Sequence, residues 1–77
     1  MPQQIYTFEH YRPAYPQTGD RVRVYRGTLE ENRDSFNPSL VRARDFYALD
    51  DMAALAKAVQ AAETIPARFE GFADDGE

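Results

Sequence analysis

The chain has no cysteine, no tryptophan, a single histidine, a single lysine and only four glycines. Without cysteine there is no disulfide, no thiolate metal site and no thiol nucleophile. His10 is the lone imidazole, so a Ser-His-Asp triad or a histidine-rich metal centre has nothing else to draw on, and its place in an alternating run reads as a structural strand residue. The glycines are not spaced as G-x-G-x-x-G or G-x-x-x-x-G-K, which removes the loops that cradle phosphates. Acids at alternate positions around a central glycine, as a calcium loop needs, do not occur. No apolar run approaches the ~20 residues of a membrane span, and MPQQIYTFEHY has neither the basic stretch nor the apolar core of a signal peptide. A soluble protein of the cytoplasm is expected, with no metal and no cofactor.

Thirteen carboxylates are present, but their pairings suggest other duties than acid-base chemistry. Asp50 and Asp51 sit where a helix begins and its dipole favours anions, and Asp74 and Asp75 belong to a charged tail. Neither pair has the apolar surroundings that would raise a carboxylate pKa toward neutrality. The expectation is a protein that is not an enzyme.

What the chain does contain is a modest core and an uneven charge. At 77 residues it makes one domain, of a size that hides only about 60 % of the surface its unfolded chain exposes. Leu, Ile, Val and Phe number fifteen, and eleven of the apolar residues are alanine, so the core is thin and a partner or self-association would help to stabilise it. Residues 1–44 hold seven arginines against five acids, a net of +2, whereas residues 45–77 hold eight acids against Lys57 and Arg68, a net of −6.

Periodicity divides the chain into elements. QIYTFEHY (4–11) is aromatic and β-branched and alternates as a strand with Tyr6, Phe8 and His10 inward. Pro13, Pro16 and Gly19 mark a turn, and DRVRVYR follows as a second strand with Val22 and Val24 on one face and Arg21, Arg23 and Tyr25 on the other, forming an antiparallel hairpin. GTLEENRDSFNP (27–38) is a polar loop in which Thr28 and Glu31 have capping-box spacing. A third strand runs from Leu40 to Phe46, with Val41 and Ala43 toward the core and Arg42 and Arg44 opposite. From Leu49 to about Glu63 the period becomes helical, with Leu49, Met52, Leu55, Ala56, Val59 and Ala62 as the packing stripe, and Pro66 ends it. ARFEGF (67–72) alternates again as a short fourth strand, and ADDGE (73–77) reads as a mobile acidic tail. The expected fold is α+β: a two-layer domain with a three- to four-stranded antiparallel sheet and one amphipathic helix on one face, in the order β-β-β-α with a short final β.

With one helix covering one face, the other face would be open and would present Arg21, Arg23, Arg42 and Arg44. Either these form a solvated face with stems over apolar surface, or they meet a partner. Guanidiniums opposed across a ladder repel, and arginine in place of lysine favours bidentate contacts. Tyr11, Tyr15 and Tyr25 lie in the same segments, and Tyr with Arg is the composition of interface hot spots. The candidate partner-binding residues are therefore Arg21, Arg23, Tyr25, Arg42 and Arg44, with Glu30, Glu31 and Asp34 of the long loop as a second patch. A protein partner is expected before nucleic acid, because an acidic protein meets a polyanion slowly. The Ala54-Ala58-Ala61 side of the helix, or an exposed strand edge, would serve self-association in an accessory dimerising domain.

VRARDFYALDDMAALAKAV (41–59), a strand ending in Ala-Arg-Asp-Phe that feeds an amphipathic helix, resembles the strand-to-helix junction of a small phage-encoded anti-CRISPR protein directed at type I systems. The resemblance covers about twenty residues, of which only ARDF is literal, and the relative's second long helix has no counterpart after Pro66. It implies a stoichiometric, non-enzymatic inhibitor of phage or mobile-element origin that binds a CRISPR surveillance complex in the host bacterial cytoplasm and blocks its access to DNA.

Overall fold

The computed structural model describes residues 2–13, 19–65 and 67–73. Four strands and one helix follow in the order β1 (Gln4–Tyr11), β2 (Asp20–Arg26), β3 (Leu40–Ala48), α1 (Asp51–Thr64) and β4 (Ala67–Phe72), with a 3-10 turn at Arg33–Ser35 between β2 and β3. The sheet order is β3-β1-β2-β4. β1 pairs antiparallel with both β2 and β3, which leaves the first strand in the centre. β4 joins β2 in parallel, because the helix carries the chain back across the sheet before the strand is laid down. The fold is thus α+β as expected, but its sheet is mixed rather than wholly antiparallel. The segment Ala14–Thr18, with Pro16 and Tyr15, and the tail residues 74–77 lie outside the described residues.

One core lies between the sheet and α1. Tyr6, Val24, Ala48, Ala54, Ala58 and Phe72 are buried together, with Phe8, Phe46, Ala53, Leu55 and Phe69 packed around them. Tyr6 stacks on Phe46 at 5.8 Å between centroids and tilts against Phe72 at 6.2 Å. Inward Tyr6, Phe8, His10, Val22 and Val24 agree with the sequence pattern. The helix stripe agrees only in part: Ala62 is buried and Leu55 packs against the core, but the other buried helical residues are Ala54 and Ala58, whereas Met52 is 80 % exposed and Leu49 and Val59 also face water. The sheet supplies five bulky rings to this layer, so close packing is met by a helix face of methyl groups that can approach them. The Ala54-Ala58 side is therefore core and is not available for self-association.

Two local devices aim side chains that simple alternation would misplace. In β4, Phe69 pairs with Val22 and Phe72 with Val24, so one extra residue bulges opposite β2. Gly71 takes the positive φ of +88° there, which lets both phenylalanines reach the same core although they are three positions apart. In β3, the ladder skips between His10 and Tyr11, and Val41 stands 46 % exposed.

The helix start is tied to the sheet. Asp50 is the N-cap and its side chain accepts from the Ala53 amide at 2.9 Å. Asp51 accepts from Tyr6 Oη at 2.8 Å and from Arg26 at 2.8 and 3.1 Å, and the Arg26 guanidinium lies 4.0 Å over the Phe72 ring. Thr28 and Glu31 form the expected capping box, each side chain bonded to the other's amide. Gly27 precedes it with φ of +100°, and a Cβ there would meet Glu31 Oε1 at 2.7 Å. No described helix is long and apolar enough to cross a membrane.

Removing the helix cap should be felt in a core this thin. We expect Asp50→Ala to lower the unfolding free energy by about 1 kcal/mol, read as a shift of the urea midpoint at unchanged slope.

Candidate functional site

The sheet face away from α1 is not open. Its residues Thr7, Glu9 and Tyr25 are buried, with Glu9 wholly so, because the loop 27–39 folds across them, and Tyr11 is buried beside Arg23 and Glu70. Glu9 anchors that loop. Its Oε1 accepts from Arg23 Nε at 3.0 Å and from Tyr25 Oη at 2.8 Å, and its Oε2 accepts from the Asn37 amide at 2.6 Å. Phe36 of the loop packs edge-on against Tyr25 at 5.2 Å, the Tyr25 hydroxyl also lies 3.1 Å from the Ser35 carbonyl, and Asp45 accepts from the Leu29 amide and from Thr7 Oγ1. A buried carboxylate is tolerable only when its lone pairs are satisfied in this way.

A second acid extends the network to β4. Glu70 accepts from Tyr11 Oη at 2.6 Å and from Arg21 at 2.8 Å, while the Arg23 guanidinium sits 4.5 Å over the Tyr11 ring. Burial and the bond to Glu70 push the Tyr11 hydroxyl up to about 12, and burial with the bond to Asp51 raises Tyr6 as well. The bond from Arg12, then that from His10, holds Asp20 below the usual carboxylate range, and Arg26 followed by Tyr6 does the same for Asp51. These two acids favour the folded state above the unfolded carboxylate pKa, and that contribution is lost as pH falls through their folded values.

The four arginines singled out by strand pattern are accordingly separated. Arg21 and Arg23 lie on the loop-covered face, half-buried and paired with Glu70 and Glu9, and Tyr25 is buried beside them. Arg42 and Arg44 lie on the opposite face, the helix side, where they pair across the ladder with His10 and Phe8. The expected facing of β3 is off by one position: Phe46 and Ala48 share parity with the two arginines, and burying Phe46 against Tyr6 turns the whole set toward α1. Of the acidic patch, Glu31 is occupied in the capping box, Glu30 pairs with Arg33 at 3.3 Å, and Asp34 is exposed in the 3-10 turn.

What remains free is a cleft between α1 and β3. The helix packs more closely on β2 and β4 than on β3, leaving a cavity of about 310 Å³ with an apolar floor that includes Phe8, Phe46, Ala58, Ala61 and Ile65, and a rim of Arg42, Arg44 and Lys57. Among the described residues, Arg42 and Arg44 make no ion pair, and Lys57 donates only to the Tyr47 carbonyl. Three cations over an apolar floor, with no carboxylate among the lining residues, make this concavity electropositive. Sequence pattern found Arg42 and Arg44 but missed Lys57, although it is the lone cation of the helix. No group of three or more His, Asp or Glu residues among those described is placed to hold a metal ion.

No family model, curated protein or solved structure matches this chain.

Two tests follow from the loop-covered face. Glu9→Gln removes the nearer of the two carboxylates beside Arg23, leaving only Glu70 at 3.9 Å, and sets an amide donor among donors, so stability should fall by about 3 kcal/mol, whereas Arg68→Gln should change it by less than about 0.5 kcal/mol in the same urea titration. Tyr11 should ionise near 12 in an NMR-monitored alkaline titration, and Glu70→Gln should bring that midpoint down. Because the folded values of Tyr11 and Tyr6 exceed the unfolded one, the stability they contribute is complete below pH 10 and declines as pH rises beyond it.

Proposed function

We propose that this chain is a non-enzymatic interaction domain that acts by occupying an acidic surface of a protein partner, with no turnover. The observation behind this reading is the Arg42, Arg44 and Lys57 rim. These cations are unneutralised by the described residues and project beside apolar surface, the combination that gives an interface both steering and buried area. Most other arginines are absorbed internally, through Glu9, Asp20, Glu30, Asp51 and Glu70. In the form that the ARDF junction's resemblance implies, the partner is a CRISPR surveillance complex and stoichiometric binding blocks its access to DNA. A nucleic-acid-binding module, the second reading, draws on the same arginines above Phe8 and Phe46, against a net charge of −4.

Affinity capture from nuclease-treated bacterial lysate tests the reading, with wild type set against Arg42→Glu/Arg44→Glu and against Arg68→Glu as a single charge-reversal control on β4. The expected result is a defined protein complex retained by wild type and the control, with recovery reduced about tenfold or more by the double variant. A CRISPR surveillance complex in that fraction would support the inhibitor form. Equal recovery by all three proteins would overturn the assignment of the surface. Binding of short oligodeoxythymidine that weakens steeply with salt and depends on Arg42 and Arg44 would favour the nucleic-acid module instead.

A further inference from the structure

The outer edge of β3 has a second property that bears on how a partner docks. β3 pairs with β1 alone, so its other side is a sheet edge. The Ile5 carbonyl accepts from the Gly27 amide on the β2 side, so Ile5 and its partner Tyr47 form a pair whose backbone groups point away from each other. The register is unbroken from Ala48 back to Arg42. By the same alternation, Ala43 and Asp45 also direct their N–H and C=O groups outward. At one end of this edge Lys57 satisfies the Tyr47 carbonyl; the groups of Ala43 and Asp45 make no backbone bond to other described elements on that side.

We infer that β3 accepts an extended acidic segment of a protein partner as a fifth strand, with an apolar side chain of that segment entering the α1/β3 cavity and its flanking carboxylates meeting Arg42 and Arg44. The free donors and acceptors supply register-fixing main-chain bonds, and alternate side chains of an added strand stand on one face. On the helix side those side chains lie next to Arg42, Arg44 and Phe46, the residues that wall the cavity. The charge argument selects the occupant: three cations and no lining carboxylate favour a segment carrying acids over a basic one. A second copy of this chain would instead bring its own Arg42 and Arg44 to the edge, where like charges oppose each other. This inference rests on the partner-binding reading above and specifies its geometry.

The probe is a set of end-capped synthetic peptides: Thr-Glu-Thr-Leu-Thr-Glu-Thr, a version with alanine for the central leucine, and one with lysine for both glutamates. Amide hydrogen exchange of the protein at saturating peptide is the readout, since only strand addition protects outward amides. The acidic leucine peptide should slow exchange at Ala43 and Asp45 about tenfold or more. The alanine peptide should bind more weakly, and the lysine peptide should not protect. Arg42→Gln/Arg44→Gln should abolish protection. Ala43→Pro removes an outward donor without touching the β1 ladder, so it should block binding while leaving the amide spectrum of the rest of the domain folded.

Binding without protection of Ala43 and Asp45 would overturn strand addition while leaving the partner-binding reading intact. So would failure of every peptide to bind when capture still depends on Arg42 and Arg44. Protection that appears without peptide and grows with protein concentration would assign the edge to a second copy and overturn the acidic-segment proposal. Loss of both peptide binding and Arg42/Arg44-dependent capture would remove the reading as well as the mode, leaving the charges as guards of an exposed edge.

Discussion

Everything on the far side of this sheet depends on one carboxylate. Glu9 lies on β1, one of the two interior strands, and is fully buried; a lone carboxylate there would be prohibitively costly. Its cost is met by Arg23, Tyr25 and the Asn37 amide together. The third of these partners belongs to the loop, so satisfying Glu9 also means laying residues 27–39 across the sheet. The face that an open two-layer fold would expose is thereby closed with polar bonds instead of a second helix.

This arrangement decides which charges are left for a partner. Arg21 and Arg23 are internal counter-charges of Glu70 and Glu9, and Tyr11 and Tyr25 are the hydroxyl donors that complete the same network. Arg42 and Arg44 have no such obligation. They stand on the other face because Phe46 must reach Tyr6, and they look over a cavity because α1 is drawn toward Phe69 and Phe72 of β4. The same helix that closes the core on β2 and β4 leaves β3 with one unpaired edge and an uncovered floor.

Ala54, Ala58 and Ala62 let α1 sit close to a layer of aromatic rings. Of the larger apolar residues of the helix, Leu55 packs against the core while Met52 and Val59 face outward. A small domain with few branched aliphatic residues thus assembles its core from tyrosine and phenylalanine on strands and methyl groups on the helix.

Much of the architecture was legible in the sequence by itself. Period-two runs marked all four strands, the inward set Tyr6, Phe8, His10, Val22 and Val24 followed from alternation, the helix from its changed period, and the Thr28–Glu31 box from its spacing; each is a local signal carried by neighbouring residues. Only the tertiary structure decided the rest. Whether Val41 or Arg42 faces the helix depends on the register that Phe46 demands from Tyr6, and which stripe of α1 packs depends on how much volume the strands have already filled. That Arg21 and Arg23 are structural, while Arg42 and Arg44 make no ion pair among the described residues, depends on Glu9 and Glu70 arriving from strands distant in the chain. Local pattern states which residues alternate; the sign of that alternation, and the partner each charge finds, are set by contacts across the fold.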